Sequence, residues 1–259
     1  MDHLDSYKLN GKVALVTGGG QGIGESCAHA LIESGAEVII VGRDESKLIS
    51  VTSELNKRGS AKYFVADLAK QSDIESIYNF VFSQHKKLDI LVNNAGIGQW
   101  KAAVDITLEE WDLMIRTNLT STFLLSQKFG KLMIENKYGK IVNVSSISGI
   151  IVNSEHNHAH YGTSKSGIIH LTKSLAAEWA KFGVRVNCIT PGYTATKMLT
   201  DLLLTPEGKK IGERIKELTP AGNMASVVDI SQGVLFFSVP ASDYITGQIL
   251  SIDGGYTLW

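Results

Sequence analysis

Lys12-Val-Ala-Leu-Val-Thr17 runs straight into Gly18-Gly-Gly-Gln-Gly22-Ile-Gly24. The first six residues are a short apolar run of the kind that forms a strand buried on both faces. Residues 25–34 then carry a helical pattern, which Gly35 ends. Glycine clusters are common in turns, and this one is informative because a strand precedes it and a helix follows. Without side chains, such a loop turns tightly and lets a pyrophosphate approach the backbone. The helix start beyond it offers unpaired N–H groups and the positive end of a dipole to the phosphates.

The same alternation continues along the chain. Further strands are expected at Glu37–Val41, Ala61–Ala66, Asp89–Asn93, Lys140–Val144, Arg185–Ile189 and Gln248–Ile252. Helices are expected over about 45–57, 72–84, 161–181 and 226–239, with a long one after Thr107. Thr107-x-x-Glu110 and Ser226-x-x-Asp229 have the form of capping boxes. Repeated strand–helix units imply a parallel doubly wound sheet with right-handed crossovers. No linker or low-complexity stretch divides the chain, so residues 1–259 are expected to form one α/β Rossmann-type domain, a seven-stranded parallel sheet flanked by helices. Residues 194–218 have a helical pattern broken at Pro206 and read as a small mobile lid over a substrate.

The carboxyl ends of strands in such sheets line the ligand crevice. At the end of the second strand stands Gly42-Arg43-Asp44. An acidic residue there would take the ribose 2'-hydroxyl of NAD, and an arginine accommodates the 2'-phosphate of NADP. Arg43 therefore favours NADP(H), with NAD(H) the alternative, and Asp44 reads as the cap of the next helix. Gln21 adds no second positive charge to this corner. Asp67, after the third strand, either meets the adenine or starts a turn. Asn93-Asn94-Ala95-Gly96 ends the fourth strand with amides and small residues that suit a close-lying cofactor. Pro191-Gly192-Tyr193-Thr194 follows the sixth, where backbone and hydroxyl groups could meet a nicotinamide carboxamide.

The fifth strand leads into Ser145-Ser146-Ile-Ser148-Gly149, and the next helix opens with Tyr161-Gly-Thr-Ser-Lys165. Tyr161 and Lys165, four apart, share one helix face. A phenol ionises near pH 10 unaided, and an ammonium one turn away lowers that value. Such a pair can exchange a proton near neutrality, as carbonyl/alcohol interconversion requires. A serine hydroxyl beside it can hold a substrate carbonyl. Asn118 is a polar amide inside the long helix, either simply exposed or there for a reason. Residues 150–160 carry His156, His158 and His160, which read as a loop beside the site, because the spacing matches no zinc motif.

Composition narrows the class. The 259 residues are 44% apolar and 20% charged, as in ordinary globular proteins, and the net charge of −1 gives no electrostatic case for a nucleic-acid partner. The N-terminus lacks the basic and apolar regions of a signal peptide, and no apolar run is long enough to span a bilayer. Cys27 and Cys188 are isolated and read as small buried residues, consistent with a reducing cytoplasm.

Together these motifs resemble a short-chain dehydrogenase/reductase. Thr17-Gly18-x-x-x-Gly22-Ile23-Gly24, Asp67, Asn93-Asn94-Ala95-Gly96, Asn118, Ser146, Tyr161-x-x-x-Lys165, Pro191-Gly192 and Asp253-Gly-Gly255 occur in the family's order, from about residue 9 to about residue 256. The resemblance implies that Tyr161 is the general acid of reduction and the base of oxidation. Lys165 would lower the tyrosine pKa and hold the nicotinamide ribose, Ser146 would polarise the carbonyl, and Asn118 would hold a water in a proton relay. Ser148 is the rival to Ser146, which is preferred for its three-residue spacing to Gly149. Cofactor contacts are implied for Gly18, Gln21, Gly22, Ile23, Gly24, Arg43, Asp67, Leu68, Asn94, Ala95, Gly96, Tyr161, Lys165, Pro191, Gly192, Thr194 and Thr196. No metal is implied, and a homotetramer is.

The stretch between Ser146 and Tyr161 is longer than in many members, such as ketoacyl reductases. With Ala177-Glu-Trp-Ala180 and Pro191-Gly192-Tyr193, it is similar to a branch acting on polyols, ketoses and sugar acids. The expected function is an NADP(H)-preferring oxidoreductase between a secondary alcohol and a ketone of that class. A ketoacyl-thioester reductase is the alternative enzyme, and a non-catalytic dinucleotide-binding regulator the alternative of another class.

Overall fold

The computed structural model describes residues 3–153 and 157–259. Its seven strands are β1 (Val13–Thr17), β2 (Glu37–Gly42), β3 (Ala61–Val65), β4 (Ile90–Asn93), β5 (Gly139–Val144), β6 (Val184–Pro191) and β7 (Ile249–Ile252). All are parallel and lie in the order β3-β2-β1-β4-β5-β6-β7. The order reverses between β1 and β4, and a crevice opens where connections leave a sheet in opposite directions. Every residue of β1, β4 and β5 is buried, which is why these strands read as unbroken apolar runs rather than alternating ones.

Helices cover both faces. On one lie α1 (Gly22–Glu33), α2 (Glu45–Leu55) and α9 (Val227–Ser238), packed through Cys27, Leu31, Leu48 and Phe237 onto Val16, Ile40 and Ile189. On the other lie α3 (Gln71–His85), α5 (Ser121–Glu135) and α6 (Ala159–Trp179), where Ile77, Phe129 and Trp179 meet Leu15, Ile39 and Ile141. The remaining helices are α4 (Leu108–Ile115), α7 (Lys197–Leu203) and α8 (Pro206–Leu218). Both expected capping boxes form, at Thr107–Glu110 and Ser226–Asp229. Cys27 and Cys188 are buried thiols, as expected.

Two elements differ from the sequence reading. The single long helix after Thr107 is instead α4 and α5, joined by a π turn at Arg116–Thr120 that contains Asn118. The widened turn accompanies a side chain that bonds sideways to another segment, described below. The expected loop over 150–160 ends early, because α6 begins at Ala159 and takes His160 into its first turn. His156 lies outside the described residues. Within 194–218, the break at Pro206 separates α7 from α8, and the Thr205 hydroxyl caps α8 by accepting from Gly208 N–H at 3.0 Å.

Candidate active site

The glycine loop leaves β1 at the point where the strand order reverses. Gly18 and Gly22 hold φ of +66° and +60°, a region that side chains disfavour. A Cβ on Gly24 would run into the Gly18 carbonyl and the Asn94 amide. The Asn94 side chain donates to Thr17 O at 2.9 Å, and the Thr17 hydroxyl accepts from the Asn94 and Ala95 N–H groups, both at 3.0 Å. The strand ends of β1 and β4 are thus tied into one floor. Thr196 reaches over it, its methyl in ordinary contact range of a Cβ placed on Gly22. Pro191 ends β6, and the Thr194 hydroxyl donates to Gly192 O at 3.0 Å. This backbone cradle fits a dinucleotide: atoms that would block a pyrophosphate are missing wherever the chain turns back.

At the end of β2, Asp44 caps α2 by accepting the Lys47 N–H at 3.2 Å. Bonds from the Ser46 hydroxyl and the Lys47 N–H hold its carboxyl below the usual range. Arg43 is exposed. Lys47 had escaped the sequence reading. Its ammonium lies 2.6 Å from Gln21 Oε1 and 3.6 Å from Asp44 Oδ2, so Gln21, which carries no charge itself, brings a cation to this corner. Helical spacing from Asp44 was the available signal, since residue i+3 returns to the cap. Asp67 accepts from Ala69 N–H at 3.1 Å and so starts a turn, its own N–H held by Asp73 at 2.9 Å, while Leu68 is buried beside it.

A cavity of about 480 Å³ extends from this floor. Ser146, Ser148, Tyr161 and Lys165 line it, with Asn94, Gly96, Gln99, Trp100, Asn153, His158 and Tyr193. Ser146 and Ser148 are not separate alternatives in space: their hydroxyls lie 3.2 Å apart, and Ser146 Oγ accepts the Ser148 N–H at 3.1 Å. Ser148 donates onward to Asn153 Oδ1 at 2.7 Å, and Asn153 Nδ2 to the Tyr193 hydroxyl at 3.3 Å. Asn153, at the end of the longer stretch after Ser148, is buried.

Lys165 is buried and donates to Val144 O at 3.1 Å, with Nζ 5.6 Å from the centre of the Tyr161 ring. Burial pushes its pKa down to about 8. Burial also raises the Tyr161 pKa, and a hydrogen bond with Ser146 draws it partly back. The expected lowering of the phenol by Lys165 is therefore not what the free chain shows. Desolvation outweighs an ammonium that is turned toward a carbonyl.

Asn118 is wholly buried, so simple exposure is excluded. Its Oδ1 accepts the Ile97 N–H at 2.8 Å, and its Nδ2 donates to Ile97 O at 3.0 Å and to the Ser164 hydroxyl at 3.0 Å. One amide thereby joins the loop after β4 to α6. A Cβ on Gly96 would lie 3.2 Å from Asn118 Oδ1 and 3.4 Å from Lys165 Nζ, so only glycine leaves that corner open. His160 is buried rather than part of a loop lip, and His158 lines the cavity with its ring edge-on to Tyr161. Among the described residues no cluster suited to a metal ion occurs, and no helix is long and apolar enough to cross a membrane.

Comparison with known proteins follows the same frame. The family described as "Enoyl-(Acyl carrier protein) reductase" matches residues 18–257. The chain is 36% identical to a galactitol 2-dehydrogenase of Rhizobium johnstonii over 260 residues, covering all of both chains. It is also 36% identical to a 3-oxoacyl-(acyl-carrier-protein) reductase of Aquifex aeolicus, covering 96% of this chain and 98% of that one. Among solved structures, a gluconate 5-dehydrogenase from Burkholderia cenocepacia in complex with NADP and tartrate superposes with a TM-score of 0.92 at 31% identity, covering 99% of each chain. With a family match over nearly its whole length and relatives similar from end to end, the protein belongs to the short-chain dehydrogenase/reductase family of oxidoreductases.

Proposed function

We propose that the protein interconverts a secondary alcohol and a ketone of the polyol, ketose or sugar-acid class, using NADP(H) in preference to NAD(H). The observation that carries this reading is the convergence of the Tyr161 phenol, the Ser146 hydroxyl and the Lys165 ammonium on one cavity beside the glycine cradle. The nicotinamide ring supplies or accepts the hydride when bound. The chain's own groups do the rest. Ser146 donates to the carbonyl oxygen and holds it toward Tyr161. The phenol gives that oxygen its proton in reduction and takes it back in oxidation. Burial keeps Tyr161 protonated in the free chain, the state that reduction needs. Lys165 holds the nicotinamide ribose and, drawn toward a forming phenolate, stabilises it. Asn118 positions the loop after β4 and α6 around Lys165 and keeps a place for relayed protons.

Arg43 and Lys47 support the NADP preference, because two cations at the end of β2 suit a phosphate better than a hydroxyl. The NADP-bound relative agrees with it. The galactitol-active relative supports the polyol class. The exposed apolar residues Leu108, Leu113 and Phe123 on α4 and α5 support the homotetramer, and two buried reduced thiols a cytoplasmic location. Residues 194–218 act as the lid. The test is nicotinamide absorbance with NADPH and NADH against ketoses, keto sugar acids, a diketone and acetoacetyl thioester. Fast NADPH turnover with a sugar is expected. Turnover of the thioester alone would replace this reading with that of a ketoacyl reductase, which the Aquifex relative favours.

A further inference from the structure

Glu110 closes the capping box of α4 by accepting the Thr107 N–H at 2.9 Å. The same carboxylate does more than cap. Lys101 Nζ lies 2.8 and 2.7 Å from its two oxygens, and Gln99 Nε2 donates to Oε1 at 2.9 Å. The Lys101 ammonium first, then the Thr107 N–H and the Gln99 amide, bring its pKa down to about 2, so it is charged at any working pH. A carboxylate only accepts, so Gln99 must turn its NH2 group toward Glu110 and its carbonyl away. That carbonyl meets His160 Nε2 at 3.0 Å, which makes Nε2 the protonated nitrogen of the ring. His160 is wholly buried. Lys101 N–H donates to Asn157 O at 2.7 Å. The loop after β4 is therefore tied to His160 in the first turn of α6, one residue before Tyr161, and to Asn157 just ahead of that helix.

Gln99 lines the cavity with its amide orientation locked. One N–H and one carbonyl lone pair of that amide remain after its two bonds are counted. A hydroxyl both donates and accepts, and matches such a pair. A carboxylate instead calls for a cation; among the lining residues the ammonium is that of Lys165, which the proposed function gives to the nicotinamide ribose, and the Lys101 charge behind Gln99 is already matched by Glu110. We propose that Gln99 reads a hydroxyl beside the reacting carbon, that Glu110 and Lys101 are its positioning residues, and that the site takes a neutral polyol or ketose in preference to a sugar acid. This inference rests on the polyol-class reading of the same cavity.

The experiment measures kcat and KM for a neutral ketose, a keto sugar acid and a cyclic ketone without hydroxyls. It uses the full-length protein, Gln99→Leu and Glu110→Gln, with NADPH affinity followed by cofactor fluorescence. The unaltered protein should prefer the ketose over the keto acid about tenfold or more in kcat/KM. Gln99→Leu should raise the ketose KM about tenfold more than that of the plain ketone, with NADPH affinity retained. Glu110→Gln keeps the cap, leaves Lys101 unpaired, and should move preference toward the keto acid by about tenfold. Preference of the unaltered protein for the keto acid overturns the proposal. So does an equal loss for ketose and plain ketone in Gln99→Leu, or an unmoved preference in Glu110→Gln. Turnover of the plain ketone with neither sugar overturns the polyol-class reading itself, and this proposal with it.

Discussion

Around the glycine loop the crevice is shaped by backbone. Gly18 and Gly22 sit at positive φ, Gly24 has no room for a Cβ, and Asn94 bonds to the Thr17 carbonyl one strand away. Around Tyr161 the crevice is shaped by side chains drawn from distant segments. Asn118 grips Ile97 and Ser164, Glu110 orients Gln99 against His160, and Asn153 links Ser148 to Tyr193. Under the proposed function, the first region meets what every dinucleotide shares, for which steric exclusion suffices, and the second places a proton and distinguishes hydroxyl patterns, which takes directional bonds. Changes in the first should act on cofactor binding whatever the substrate, and changes in the second on chemistry and selectivity.

The largest effect expected from either region is that of Tyr161→Phe. Removing the general acid should lower kcat by about 10²- to 10⁴-fold, with NADPH affinity retained. Near-full kcat in this variant would falsify the assignment of the proton donor. Next comes Gly24→Val, which forces a side chain into the Gly18 carbonyl. Overpacking of this kind costs about 1–3 kcal/mol, so the melting temperature should fall and NADPH affinity drop about tenfold or more. If calorimetric titration showed both cofactors binding as before, the steric account of the first region would be broken.

A smaller effect sharpens the cofactor corner. Arg43→Ala should weaken NADPH about tenfold and leave NADH nearly unchanged, and Lys47→Ala should do the same more weakly. Equal losses for both cofactors would remove the 2'-phosphate from the explanation. The mildest test is pH. Lys165, whose pKa is about 8 in the free chain, loses its charge as pH rises through that value. Tyr161, held above its ordinary range by burial, stays protonated there. For ketone reduction, kcat/KM should therefore be level at lower pH and fall above about pH 8. A limb that begins only above about pH 10 would assign the titration to Tyr161 instead.

Much of this was legible before any coordinates. β1 and the loop after it could be placed because burial on both faces writes an unbroken apolar run, and positive φ writes glycine. Asp44 was identifiable as a cap because capping is local. Tyr161 and Lys165 could be paired because helix geometry puts residues four apart on one face. In contrast, Asn118 had only the water-holding role that the resemblance implied, and its grip on the loop after β4 and on α6 emerged when α4 and the π turn met around it. Glu110 was read only as half of a capping box.

Local rules of backbone conformation and periodicity thus carried the fold, the strand ends that line the crevice, and the pairing of Tyr161 with Lys165. They act over a few residues, and a sequence displays them directly. The direction of the Tyr161 pKa, the bond between Lys47 and Gln21, and the lock on Gln99 came from folding alone. Each depends on how deeply a group is buried and on charges or amides brought within about 3 Å from segments far apart in the chain, and desolvation and hydrogen bonding change steeply over such distances.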